Sequence, residues 1–243
     1  GKALAEIQAG RHSIAEGVPT AAAIDALARR LGVEMPICAT VAAILDDLAG
    51  RLGEHGLLLR GGFALVQELD QALLDQVPEA RALVLIGNAG SEMWRRSAAA
   101  IEATGAPNPL DRWTRAAIEP LAAAAGGKAL FPFDGPPYWP FQRWAARAEG
   151  VAPSPLGILM HPEFGLWHAY RAAILLPAAL EFAAPARNHA CDTCRDKPCL
   201  STCPVGAFTA TGYEVDHCVA HVAATKSRTG ACFQRGCLAR LAC

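Results

Sequence analysis

The chain has 243 residues, 52% of them apolar and 19% charged, with a net charge of −1 at neutral pH. That is ample for a buried core in one large or two modest domains, and it argues against disorder. Lys and Arg are scattered without a basic stripe, so nothing electrostatic speaks for a nucleic-acid partner, and no apolar run reaches the roughly 18 residues of a membrane span. The longest apolar run, from Ala169 to Ala184, is interrupted by Arg171, Pro177 and Glu181. In chain order, Thr20 is placed to cap a helix on which Ile24, Leu27, Ala28 and Leu31 share a face, and Gly32 ends it. A second helix opens at Pro36, which suits a first turn, and carries Ile37, Val41, Ile44, Leu45 and Leu48 to a stop at Gly50. Residues 1–50 therefore read as a helical pair. Cys38 stands alone in an apolar run and reads as a small buried hydrophobe.

Residues 57–185 alternate element types. The run ALVLIGNAG, from Ala82 to Gly90, predicts a buried strand, and Met93 to Thr104 and Leu110 to Ala125 predict helices. ALFPF and LGILM are further strand candidates, separated by the Pro-rich loops FDGPPYWPF and VAPSPLG. The GNAG loop lacks the Lys-Ser/Thr of a phosphate cradle and reads as a turn. His161 and His168 flank PEFGLW; His161 reads as holding a turn, and His168 as sitting at a helix start. Trp94, Trp113, Trp139, Trp144 and Trp167 supply apolar area to a core or to a pocket for a flat cofactor.

Eight of the nine cysteines fall in residues 186–243: Cys191, Cys194, Cys199 and Cys203 within CDTCRDKPCLSTCP, then Cys218, Cys232, Cys237 and Cys243. Structural zinc is served by separated Cys-x2-Cys knuckles, and disulfides by a secreted context; the compact run closing on Cys-Pro suits neither as well as it suits iron–sulfur ligation. The run resembles that of bacterial two-cluster ferredoxins, with four residues instead of two between Cys194 and Cys199. This resemblance implies two [4Fe–4S] clusters, one on Cys191, Cys194, Cys199 and Cys243 and the other on Cys203, Cys218, Cys232 and Cys237. Small residues at Gly206 and Ala207 would let backbone N–H groups reach a ligand sulfur.

Two further resemblances follow from longer strings. Residues 1–48, through AEGV and LARRLGVEMPI, resemble the C-terminal end of bacterial NAD(P)-dependent glycerol-3-phosphate dehydrogenase, which implies that Ile14 and Glu16 sit against a nicotinamide cofactor. No G-x-G-x-x-G after a strand and no counterpart of that family's catalytic lysine are found, so productive NAD(P) binding is not expected, and the segment reads as a fragment joined to another protein around Arg51 to Gly62. Residues 57–243 carry FPFDGPPYWPFQRWAARA, LGILMHPEFGLW and CDTCRDKPCLSTCPVGAF in an order that resembles epoxyqueuosine reductase, a cobalamin-dependent enzyme with two [4Fe–4S] clusters. The resemblance implies a corrinoid or flavin pocket in the middle domain and places Asp134 where the family keeps a proton-donating aspartate. Phe131, Phe133, Tyr138 and Trp139 around it would favour the protonated form that a general acid needs. EGVAPSPLG stands where the family has a glycine-rich stretch, and the helical repeats that hold tRNA have no counterpart, so tRNA reduction is not expected.

The expected architecture is α+β: a helical pair in residues 1–50, an α/β layered domain in 57–185 and a ferredoxin-like two-cluster domain in 186–243. The expected function is a cytoplasmic iron–sulfur reductase, fed by a flavodoxin or ferredoxin reductase system and passing electrons to a corrinoid or similar centre and an unknown small-molecule acceptor, without nucleic-acid or membrane partners. Two alternatives stand beside it: a ferredoxin-like carrier with no catalysis of its own, and an inactive dehydrogenase fragment fused to a ferredoxin-like protein.

Overall fold

The computed structural model describes residues 36–103, 105, 107–136, 138–180, 182, 185, 189–209, 212–224 and 230–243. The expected first helix, with Ile14 and Glu16, lies outside the described residues. The chain divides into two compact units, the first made of Gly1–Gly150 and His168–Ala186, the second of Val151–Trp167 and Arg187–Cys243.

The first unit begins with helix α1 (Pro36–Glu54), which opens at the expected proline but runs through Gly50, where the sequence predicts a stop. A glycine inside a helix costs about 1 kcal/mol relative to alanine. Leu45, Leu48 and Leu52 form one stripe and are each no more than 3% exposed, and burying a leucine returns about 1.5–3 kcal/mol. Packing beyond the glycine therefore decides where the helix ends.

Strands β1 (Leu58–Ala64), β2 (Ala82–Ala89), β3 (Lys128–Leu130) and β6 (His168–Leu176) form one sheet in the order β1-β2-β6-β3, every neighbouring pair antiparallel. Central strand β2 is the predicted apolar run, and its interior is buried on both faces. Ala82, Val84 and Ile86, with Ala172, Ile174 and Leu176 of β6, join a core with Leu45, Leu48 and Leu52. Helix α3 (Glu92–Ala103) adds Met93 and Ile101 to that core, and α4 (Pro109–Ala124) adds Trp113, Ile118 and Leu121. Leu83 and Leu85 point the other way by the two-residue period of a strand, yet are as deeply buried. On β1 and β2 lies α5 (Phe141–Glu149). The mixed α/β character matches expectation. His168, read from sequence as near a helix start, instead opens β6 and faces Ala89 across the ladder.

A buried polar cluster fastens α5 to β1. Arg60 is 2% exposed, and its Nε and Nη2 each donate to the Glu149 carboxylate at 2.7 Å. The Gly61 N–H donates to the same carboxylate at 3.2 Å, and the Tyr170 hydroxyl from β6 donates to it as well. A Cβ at Gly61 would stand 2.7 Å from Glu149 Cγ, so only glycine admits the acid this close. Burial works to raise the Glu149 pKa, but the Arg60 charge and the hydrogen bonds from Arg60, Tyr170 and Gly61 outweigh it and hold the carboxyl below its ordinary range. Burial, reinforced by the Glu149 charge, keeps the Tyr170 phenol protonated. One turn earlier, Arg147 pairs with Asp70 of α2 (Gln67–Leu74) at 2.8 Å and lies 3.8 Å over the Phe63 ring.

In the second unit, β4 (Ala152–Pro153) and β5 (Leu159–Met160) pair as a short hairpin. Helices α6 (Ala190–Thr193) and α7 (Pro198–Ser201), strands β7 (Phe208–Thr209) and β8 (Gly212–Tyr213), and helices α8 (Val215–Ala224), α9 (Ala231–Arg235) and α10 (Leu238–Leu241) follow. Residues 151–167 were expected in the middle domain with 57–185, and they group instead with the cysteine-rich tail. The physical reason is a separate apolar cluster in which Leu156, Met160 and Leu166 meet Cys199 and Ala239. Among the described residues no helix is long and apolar enough to cross a membrane.

Glu149→Gln removes the charge that compensates buried Arg60, and a broken buried pair costs about 3–5 kcal/mol; chemical denaturation at neutral pH should register a loss of that order. Because the folded Glu149 pKa lies below its ordinary value of 4.5, its contribution is complete above that value and is lost as pH falls through the folded one. The gap between wild type and variant should therefore close in acid. Leu48→Ala, in the core stripe of α1, should cost about 2–5 kcal/mol in the same assay.

Candidate functional site

The eight cysteines of the second unit carry no disulfide. Cys199 is buried, Cys191, Cys203, Cys218 and Cys232 are half-buried, and Cys194, Cys237 and Cys243 are exposed. Local structure explains how the first run is presented. Cys191 lies in α6, Cys194 caps its end, and the four-residue loop beyond closes with Lys197 in the left-handed region at φ 40° before Pro198 starts α7. Helix α7 packs against α10, so the chain's last turn, with Cys243 just beyond it, returns to the first cysteine run. Arg240 of α10 donates to the Leu166 carbonyl and lies 4.4 Å over the Trp167 ring, fixing that return.

Electrostatics reports the resulting neighbourhoods. Burial pushes the Cys191 thiol up, and nearby Cys243, Cys199 and Cys194 add to the rise while Lys197 opposes it. Burial also raises the Cys199 thiol, with Cys243 and Cys194 again contributing, against backbone N–H groups of Cys199 and Leu200 that donate to its sulfur. The structure thus brings Cys191, Cys194, Cys199 and Cys243 together. The second neighbourhood centres on a residue that sequence reasoning missed. A hydrogen bond to Cys218, then burial, then the charges of Cys218, Cys237 and Cys203 push the Tyr213 phenol up to about 12. Cys232, on α9, is not among the thiols grouped around Tyr213. The Ala207 N–H donates to Cys203 Sγ at 3.3 Å, beside Gly206 with φ 59°, the kind of contact expected from the small residues after Cys-Pro. Among the described residues no three His, Cys, Asp or Glu side chains converge as ligands of a single metal ion. A cubane makes a different demand, since each of its four thiolates binds its own iron at a separate corner.

Asp134 lies in the first unit, in the turn after β3. The rings expected around it are distributed otherwise. Phe131 is fully buried and stacks on Phe133 at 5.1 Å, whereas Tyr138 is 69% exposed. The Arg115 guanidinium, on α4, lies 4.5 Å from the Phe131 ring centre and 5.4 Å from that of Phe133. Arg115 also pairs with both Asp134 and Glu119. Although burial works against its charge, these two acids raise the Arg115 pKa. The expectation of a carboxyl enclosed by rings is therefore corrected: a cation resting on the rings meets it. The signal available in sequence was the Arg115/Glu119 pair at helical spacing, but nothing there joins it to a turn 19 residues on.

Asp134 forms part of the wall of two cavities. One, of about 530 Å³, is lined also by Gln76, Arg115, Lys128 and Trp139. The other, of about 1060 Å³, is lined by Asn108, Asp111, Arg112, Trp113 and Phe133. His161 bears out its structural reading: its Nδ1 accepts the N–H groups of Glu163 and Phe164, each at 3.1 Å, and its ring stacks on Phe164. The glycines of GNAG are an ordinary strand end, with Gly87 inside β2 and Gly90 turning at φ 56°.

Comparison with known proteins gives two separate similarities. Residues 1–49 match the family described as NAD-dependent glycerol-3-phosphate dehydrogenase C-terminus. Glycerol-3-phosphate dehydrogenase [NAD(P)+] of Caulobacter vibrioides is 58% identical over 61 residues, which are 25% of this chain and 18% of that enzyme. The corresponding enzyme of Dechloromonas aromatica is 57% identical over 51 residues, 21% of this chain and 15% of its own. Among solved structures, a selenomethionine-labelled epoxyqueuosine reductase aligns at 15% identity with a TM-score of 0.48, covering 74% of this chain and 57% of the reductase. Another epoxyqueuosine reductase, solved with an epoxyqueuosine-modified tRNA-Tyr stem loop, aligns at 16% identity with a TM-score of 0.44, covering 69% and 53%. The chain thus spans under a fifth of the length of the dehydrogenases and little more than half that of the reductases.

Proposed function

We propose that the chain is an iron–sulfur electron-transfer protein of reductase type, holding one [4Fe–4S] cluster on Cys191, Cys194, Cys199 and Cys243 and a second on Cys203, Cys218, Cys232 and Cys237. The observation that carries this is the gathering of eight unbridged cysteines in one compact unit, with Cys243 brought back to the first run by the packing of α7 on α10. The donor set fits the group, because soft thiolates with backbone N–H groups directed at sulfur are what iron–sulfur clusters take. When bound, the clusters supply one-electron chemistry, and a corrinoid or similar centre would supply a strongly reducing metal for the acceptor.

The remaining work falls to side chains of the first unit. The larger cavity beside Asp134, with Trp113 and Phe133 in its wall, offers aromatic surface for a flat ligand of corrinoid type. On this reading Asp134 hands over a proton there, and Arg115, paired with it, holds the carboxyl in place. The same pair is the observation that favours a plain electron carrier, since the Asp134 carboxylate already has a partner in Arg115. The electron donor on this reading is a flavodoxin or ferredoxin reductase system, and the acceptor a small molecule.

Anaerobic purification should yield about eight iron and eight acid-labile sulfide per chain, with an EPR signal on reduction. Cys199→Ser should cut the content to about half, since one quartet loses a ligand; zinc without sulfide would overturn the reading. Asp134→Asn should keep its iron yet lose roughly 10²–10⁴-fold in turnover of the acceptor, the usual contribution of a general acid. Unchanged turnover would remove Asp134 from the mechanism. Hydroxocobalamin titrated into the full chain, followed by absorbance, separates the two readings: a reductase with a corrinoid site binds it, and a carrier does not.

A further inference from the structure

We propose that the smaller cavity beside Asp134 binds a small, elongated zwitterion, with the ligand's carboxylate at Lys128 and its ammonium group at Glu119 and Asp134. This goes beyond the iron–sulfur reading and does not depend on it, and the site is separate from the larger cavity assigned to a flat ligand.

The cavity lies where the sheet stops. Among the described residues β3 is an edge strand, paired with β6 on one side and with no strand on the other. Lys128, Ala129 and Leu130 of that edge line the cavity, whose volume of about 530 Å³ suits a small molecule. An edge strand also turns unpaired backbone N–H and C=O groups outward, where a polar ligand can meet them. Helix α4 is joined to β3 by a short turn and packs on it, so the end of the helix lies near Lys128 and its earlier turns near Asp134. At about 3.3 Å per strand residue, the two ends of the cavity are on the order of 10 Å apart.

Charge is separated along this length. At one end the Lys128 ammonium group donates to the neutral Gln76 side chain at 3.4 Å and forms no ion pair among the described residues. At the other end one guanidinium serves two acids, Arg115 pairing with Glu119 at 2.9 Å and with Asp134. That trio carries one negative charge in excess, and each of its side chains is more than a third exposed, so a further cation can reach it. Between the ends stands Trp139, held by stacking on Trp144 at 5.7 Å, a fixed aromatic wall for the body of the ligand. A purely anionic molecule meets the acids and a purely cationic one meets Lys128, whereas a molecule with both charges gains at each end. Stability does not explain the arrangement, because exposed ion pairs of this kind add little to it.

The test is titration calorimetry on the full chain, with iron and sulfide assayed on the same sample and para-(aminomethyl)benzoate as the probe. This zwitterion should bind about tenfold more tightly than para-toluate, which lacks the ammonium group, or para-methylbenzylamine, which lacks the carboxylate, the factor expected of one hydrogen bond to a charged group. Lys128→Gln should weaken the zwitterion and the toluate and leave the amine unchanged. Glu119→Gln should weaken the zwitterion and the amine and leave the toluate unchanged. A merely structural disturbance would weaken all three probes together. Equal binding of the three, no binding of the zwitterion, or a uniform loss in both variants overturns the site. The crossed pattern in a chain that takes up neither iron nor sulfide supports the site and overturns the iron–sulfur reading, and loaded clusters without the pattern overturn the site alone.

Discussion

The return of α10 onto α7 is the contact on which the second unit depends. It joins the last helix to the first cysteine run across about forty residues, and closing a loop of that length carries an entropic cost that grows only slowly with length. A small apolar cluster, with Leu156, Met160, Leu166, Cys199 and Ala239 at its centre, works against that cost. It is modest for a unit of this size, and α8 and α9 contribute no buried residue to a core. Small domains short of core draw their remaining stability from cross-links or metals. On the proposed iron–sulfur reading, ligand–metal bonds would supply that stabilisation to this unit, whose thiols are unbridged.

The first unit is organised on the opposite principle. Its sheet is covered on both faces, and two of its ion pairs fix one helix, α5. At its N-terminal end Trp144 of α5 stacks at 5.7 Å on Trp139, in the segment that leads into the helix. At its C-terminal end it is held by Arg147 on Asp70 and Glu149 on Arg60. The turn bearing Asp134 runs from β3 into this doubly anchored helix, and Arg115 grips it from α4. A carboxylate on a surface turn is thereby positioned by rigid elements on both sides, the condition for a group that must meet a ligand in a fixed geometry.

What could be read from sequence divides along physical lines. The concentration of eight cysteines in the tail was visible because ligand chemistry demands particular residue types at close spacings, while their division into two quartets came from a resemblance and is a proposal. Strand β2 was visible because an interior strand is apolar throughout. Strand β1 was not, because Arg60, Gly61 and Gly62 interrupt its pattern for the sake of contacts made elsewhere: a buried ion pair, and a backbone so close to its neighbours that a Cβ at Gly62 would stand 2.5 Å from the Phe182 ring. The start of β6 was misread for a related reason, since His168 takes its conformation from pairing with β2 and not from local signals. The Arg115–Asp134 pair joins a helix to a turn, and such partners leave no periodicity to detect.

The dehydrogenase-like segment gains its meaning from the same packing argument. The match ends at residue 49, yet α1 begins inside it and continues to Glu54 without a break. Leu45 and Leu48, within the match, and Leu52, beyond it, share one stripe in one core. A junction between unrelated proteins was expected from Arg51 onward, where an unstructured linker would serve. A continuous helix cannot be divided there without exposing leucines on one side or the other, and its amphipathic face must be buried to persist. Whatever the origin of these residues, in this chain the described part of them packs against α4 and the sheet, and selection on Leu45 and Leu48 would act through the stability of the first unit.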